Sequence, residues 1–238
     1  MRPPVLAEFV GLPGAGKTTI ARQAVRHLRK RKDIDPFFYS KDGKLRFGGR
    51  DLFASLALTG RAARRFLLTT MPSLGLRQMR RAADVMDKVL TARRVRRTLL
   101  EHPIILFDQN LMQKLYLMRE GDLPSQEELE GVLELLRNDL AEIYIFIDTP
   151  PELAAQRCVS RNKKSMQRYF QHWSADRIIT LYREHHETLE WMMRWLQSQP
   201  HSTVIRVDGS GNADDIAKRL ADQLAVLLKE RQEEIGGA

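Results

Sequence analysis

Eight consecutive residues, Gly11-Leu12-Pro13-Gly14-Ala15-Gly16-Lys17-Thr18, have the types and spacing needed to hold a chain of phosphate groups. They satisfy the pattern G-x-x-x-x-G-K-[ST] at every fixed position. Gly14 and Gly16 have no Cβ, so the backbone can curl and point its N–H groups inward. The loop runs into a helix N-terminus, where orphan N–H groups and the helix dipole favour an anion. Lys17 would reach the outer phosphates as a point charge. Thr18 would place a hydroxyl on Mg²⁺, and Thr19 is a further contact. The expected ligand is a nucleoside triphosphate with Mg²⁺, held by Gly11, Gly14, Ala15, Gly16, Lys17, Thr18 and Thr19.

A second group of residues supplies charge near this loop. Pro103-Ile104-Ile105-Leu106-Phe107-Asp108 reads as a buried parallel strand that ends on a carboxylate. In open α/β sheets ligands collect at such strand ends. Asp108 is therefore a candidate Mg²⁺ ligand beside Thr18, or a base for the proton of an acceptor hydroxyl. The residue types leave both roles open. Farther on, Arg157 and Arg161 stand one turn apart on an expected helix. With Asn162, Lys163, Lys164 and Arg168 they form a basic segment, 157–170, able to close over a triphosphate and neutralise developing charge. The candidate catalytic residues are Lys17, Asp108, Arg157 and Arg161.

The elements that must position these groups alternate along the chain. Apolar runs predict strands at 5–10, 37–40, 103–108, 143–148 and 204–208. The first is interrupted only by Glu8. Helical spacing predicts helices over 18–29, 51–58, 61–70, 76–100, 111–119, 176–197 and 214–229, with others opening near Ser125 and after Thr149. Thr149-Pro150-Pro151-Glu152 has an N-cap hydroxyl, a proline at the first helical position and an early acid. The tail beyond 229 is expected to fray. His185 and His186 have no Cys or carboxylate at convincing ligand spacing, so no metal site is expected there. Trp191 and Trp195, four apart, suit packing. Strands alternating with helices predict an α/β fold: three layers, a parallel sheet of about five strands, and helices on both faces.

Composition bounds the rest. A chain of 238 residues with 43% hydrophobic and 29% charged residues suits one globular domain, 1–238. Its single cysteine, Cys158, excludes an internal disulfide and fits a cytoplasmic setting. No stretch approaches the ~20 apolar residues of a membrane span. The net charge of +9 is uneven: residues 44–97 hold fourteen Lys or Arg against three acids, a net +11. An anionic partner is expected for that segment.

The order of motifs resembles the P-loop kinases of nucleosides and nucleotides, thymidylate kinase most of all. The resemblance rests on Gly11 to Thr18; on Ile104 to Asp108; on Ile145-Phe146-Ile147-Asp148-Thr149-Pro150-Pro151-Glu152 with Arg157 and Arg161; and on Val204 to Gly211. It implies a P-loop NTPase fold, ATP and Mg²⁺ as cofactors, and an arginine lid. The acceptor half departs from it. Gln109 stands where thymidylate kinases carry an arginine, and residues 41–100 form a longer, basic, helical insert. The expected activity is transfer of the γ-phosphoryl group of ATP to a small anionic acceptor, nucleotide-like or another phosphorylated metabolite. The alternatives are a nucleic-acid-associated NTPase or polynucleotide-end kinase, or a nucleotide-gated regulatory protein. Nucleic acid ranks below the small acceptor because residues 44–97 show no aromatic stacking platform. A homodimer is compatible with all three.

Overall fold

The computed structural model describes residues 3–31, 33–39, 76–117, 126–160, 170 and 172–236. These form an α/β fold built on one five-stranded, all-parallel sheet. The strands are β1 (Val5–Val10), β2 (Phe37–Tyr39), β3 (Ile104–Phe107), β4 (Ile143–Asp148) and β5 (Thr203–Asp208). The helices are α1 (Lys17–Arg29), α2 (Leu76–Thr98), α3 (Leu111–Leu117), α4 (Gln126–Leu135), α5 (Pro151–Ser160), α6 (Ala175–Gln197) and α7 (Ala213–Gly236). A 3-10 turn covers Arg137–Asp139. The chain beyond Lys229, expected to fray, continues α7 to Gly236. The helices expected over 51–58 and 61–70, the loop and capping-box start at 121–125, and the lid residues 161–169 lie outside the described residues.

Strand order across the sheet is β2-β3-β1-β4-β5. β1, β3 and most of β4 are covered on both faces, which explains their near-continuous apolar runs. From β1 the chain steps through α1 to the β2 edge. From β2 onward it travels the other way, through β3 and past β1 to β4 and β5. With right-handed crossovers, opposite directions of travel put the connecting helices on opposite faces. α1 accordingly packs on α7, while α2 packs on α3, α3 on α6 and α6 on α5. The α1–α7 seam is lined by Ile20, Ala21, Ala24 and Leu28 against Ile216, Ala217, Leu220 and Leu224, all buried. Alanines at helical spacing on both sides allow a close approach. Cys158 is a free, buried thiol, and Trp195 packs in the core, as their residue types predict. Among the described residues no helix is long and apolar enough to cross a membrane.

The end of α2 gives two residues of the basic segment partners inside the fold. Arg93 forms a two-armed ion pair with Asp139, whose side chain is only 4% exposed. Arg96 donates to the carbonyls of Asn138 and Leu140 and to Glu142 Oε1 at 2.6 Å. Glu142 Oε2 in turn accepts the Leu6 amide at 2.8 Å. These bonds tie α2 to the entry of β4, at the strand ends opposite the glycine loop. Arg93 and Arg96 thus neutralise carboxylates inside the fold, so they do not stand free for an acceptor.

Removing one partner of a largely buried pair leaves the other charge uncompensated. Arg93→Met should lower unfolding stability by about 3 kcal/mol, read by denaturant titration, without altering ligand binding at the glycine loop.

Candidate functional site

The reversal of travel leaves β1 and β3 as neighbours whose outgoing chains diverge to opposite faces. Crevices of this kind lie outside the carboxyl ends of the strands and collect ligands. Here the crevice is flanked by the loop after β1 and the turn after β3.

The loop curls because three glycines adopt conformations that other residues avoid. Gly11, Gly14 and Gly16 have φ of 152°, 88° and 95°. A Cβ on Gly14 would stand 2.1 Å from the Ala154 carbonyl oxygen, so α5 presses directly on the loop. Gly16 is the N-cap of α1 and brings no side-chain cap. The first N–H groups of a helix lack partners within it. An uncapped start therefore leaves donors and the positive end of the dipole directed at the crevice.

Behind the loop the packing comes from β4 and the segment after β5. The buried Thr149 hydroxyl donates to the Ala15 carbonyl at 3.2 Å, so it braces the loop as well as preceding α5. Gly209 lies against the same hydroxyl: a Cβ there would meet Thr149 Oγ1 at 2.0 Å.

Two ionisable side chains, Lys17 and Asp108, flank Thr18 at the crevice, both nearly out of water. Lys17 is 5% exposed, and its ammonium donates to the carbonyls of Gly11 at 2.7 Å and Leu12 at 2.8 Å. Asp108, 6% exposed, accepts from the Thr18 hydroxyl at 2.9 Å. Its amide donates to the Tyr39 carbonyl, which ties the turn to β2. A hydroxyl and a carboxylate converging beside a buried ammonium fit a hard divalent cation and a polyphosphate. Of the expected ligands, Thr18 and Asp108 are thus brought together.

A further ionisable group, Glu8, is fully buried on β1 and faces the start of α3. It appears in the sequence only as an interruption of an apolar run. Its Oε1 accepts the amides of Asn110 and Gln113, both at 3.0 Å, and its Oε2 accepts that of Met112 at 3.1 Å. It therefore caps α3 from the neighbouring strand. Burial pushes its pKa up from 4.5 to about 7, against the downward pull of the three amides and of Lys88. A lone acid in a strand otherwise buried on both faces is the one sequence signal of this role.

Arg157 lines a cleft of about 350 Å³ with Gly14, Gly16, Thr19, Gly209 and Gly211. That volume is in the range of small-molecule pockets. Its guanidinium donates to the Gly209 carbonyl at 2.9 Å. The structure thus places Arg157 on the flank of the loop, bound to the segment between β5 and α7. Arg161 lies outside the described residues.

His186 revises the expectation about metal ligands. The fold brings it to Asp148, 2.9 Å away, and within 3.8 Å of Glu190 one turn along α6. Ligand atoms of all three lie within 4.8 Å of one another. Arg206 occupies the same place, donating from Nε to Asp148 at 2.9 Å and pairing with Glu190. Burial would raise the Asp148 pKa, but the bonds from His186 and Arg206 outweigh it and hold the carboxyl below its usual range. The cluster is a hydrogen-bonded clasp between α6 and the sheet.

Compared with known proteins, the chain matches no family model and no curated sequence. The chemistry of the crevice must stand on its geometry.

The raised pKa of Glu8 has a definite sign. Between pH 4.5 and about 7 the folded chain binds this proton more tightly than the unfolded one. Stability therefore falls as pH rises through that window. Glu8→Gln should remove this slope. At ~1.4 kcal/mol per pKa unit, the stability of the native chain relative to the variant should decline by up to about 3 kcal/mol from pH 4.5 to pH 7, measured by urea unfolding of both proteins across the range.

Proposed function

We propose that this protein is a P-loop phosphotransferase, which moves the γ-phosphoryl group of ATP onto a small, anionic acceptor. The observation that carries this reading is the meeting of Lys17, Thr18 and Asp108 at the crevice between β1 and β3. The residue pattern is specific for polyphosphate, and the topology sets a carboxylate opposite its hydroxyl.

Each residue then has a task. The α1 amides and Lys17 bind the β- and γ-phosphates. To do so, the Lys17 ammonium leaves the carbonyls of Gly11 and Leu12 and turns to the phosphate oxygens. Thr18 and Asp108 would hold Mg²⁺, which when bound would offset negative charge on the triphosphate. The nucleoside end of the donor lies in the cleft between Arg157 and Gly211. Arg157, kept at the flank by Gly209, offers its remaining donors to the triphosphate, and Arg161 would join it from the following turn. The acceptor hydroxyl oxygen forms the new bond to phosphorus as the bond to the β–γ bridging oxygen breaks. The hydroxyl proton passes to Asp108 or to solvent, and ADP leaves.

Gln109, half-buried beside Asp108, carries no charge for an acceptor phosphate. The acceptor side thus falls to the N-terminal part of α2 and to residues 41–75, which lie outside the described residues. The commitment of Arg93 and Arg96 to Asp139 and Glu142 weakens the case for a nucleic-acid surface along α2.

Lys17→Ala should retain the native unfolding free energy to within about 1 kcal/mol, because it removes a buried charge along with its partial solvation. Transfer should fall by a factor of at least about 100. The assay is ATP-dependent transfer screened across nucleosides, nucleoside monophosphates, sugars and oligonucleotides. Wild-type rates in the variant would remove the assignment.

A further inference from the structure

The turn carrying Asp108 is short and must stand at a fixed distance from Thr18. Two anchors set its position. One is backbone: the Asp108 amide bonds to the Tyr39 carbonyl at 3.1 Å. The other is the Glu8 carboxylate, which gathers the amides of Asn110, Met112 and Gln113 within 3.1 Å. Glu8 lies on β1, three residues before Gly11, where the phosphate loop begins. It is paired in register with Phe107, the residue before Asp108. One side chain thus connects the strand that feeds Thr18 to the turn that presents Asp108.

An apolar residue at position 8 would satisfy the burial of β1 and leave three amides of the turn without partners. A neutral amide would also fall short. A glutamine has one acceptor oxygen and one N–H₂ group, so one of its ends must face an N–H donor. Only a carboxylate accepts on both oxygens. Above its raised pKa of about 7 Glu8 is ionised and accepts in this way; hydrogen bonds to an ionised acceptor are shorter and roughly twice as strong as neutral ones.

Resting on the nucleotide reading above, we infer that Glu8 is a positioning residue for the metal side of the site: it holds Asp108 opposite Thr18 without touching the ligand. Residues behind metal ligands orient them, and their loss typically weakens metal affinity ~10–100-fold.

The test uses the full chain carrying Glu8→Gln, with Arg93→Met as a control that destabilises the fold at the far end of the sheet. ATP binding is measured by calorimetry with and without Mg²⁺, at a pH more than one unit above the Glu8 pKa of about 7. In the native chain Mg²⁺ should tighten ATP binding. In Glu8→Gln the Mg²⁺ concentration giving half of this effect should rise ~10-fold, with Mg²⁺-free ATP affinity within about twofold of native. Arg93→Met, although less stable, should keep the native Mg²⁺ dependence. An unchanged Mg²⁺ midpoint in Glu8→Gln, or an equal shift in Arg93→Met, would overturn the inference. A crystal structure of Glu8→Gln supplies a readout that needs no nucleotide: the Asp108 carboxylate should leave hydrogen-bonding distance of Thr18 Oγ1, and its retention at the native 2.9 Å overturns the inference. A native chain that binds ATP neither with nor without Mg²⁺ defeats the nucleotide reading instead, and the crystal structure alone then decides the role of Glu8.

Discussion

Where a parallel sheet reverses its direction of travel, two adjacent strands must send their chains to opposite faces. Here those strands are β1 and β3. Three ionisable side chains on or beside these two strands and their outgoing chains, Glu8, Lys17 and Asp108, are almost completely out of water. Burying such groups is costly unless each finds a partner. Each does, and largely from the backbone. Lys17 uses loop carbonyls, Glu8 uses the first amides of α3, and Asp108 uses the Thr18 hydroxyl. The crevice is thereby pre-assembled from the same bonds that stabilise the fold around it.

That economy depends on close packing behind the loop. Gly14 and Gly209 have no room for a Cβ, and the Thr149 hydroxyl reaches the Ala15 carbonyl between them. The strands β4 and β5 therefore shape the crevice without entering it. Asp148, His186, Glu190 and Arg206 clasp α6 to the sheet, two carboxylates held by a guanidinium and an imidazole. The arginine makes this arrangement complete as it stands. A cation would have to displace an already favourable partner from both carboxylates.

For Arg93 and Arg96, charge counted along a segment did not show where the charge acts. Residues 44–97 carry a large positive excess in the sequence. Yet Arg93 and Arg96 spend theirs on Asp139 and Glu142, acids that follow some forty residues later in the chain. Only the packing of α2 over the entry to β4 brings those partners into range. A net charge read from a window of sequence cannot include acids supplied from outside it.

Local patterns determined much of this protein. The strand-loop-helix run from β1 to α1, the strands ending at Asp108 and Asp148, and the amphipathic spacing of α1, α6 and α7 follow from side-chain types a few residues apart. Apolar period and backbone freedom are local properties, so they are legible without the fold. Tertiary structure decided everything that depends on residues distant in the chain. It turned Glu8 from an oddity in an apolar strand into the cap of α3, gave Thr149 to Ala15, and set His186 beside Asp148. Hydrogen bonds and ion pairs act over about 3 Å, and only the order of strands in the sheet determines which distant residues come that close.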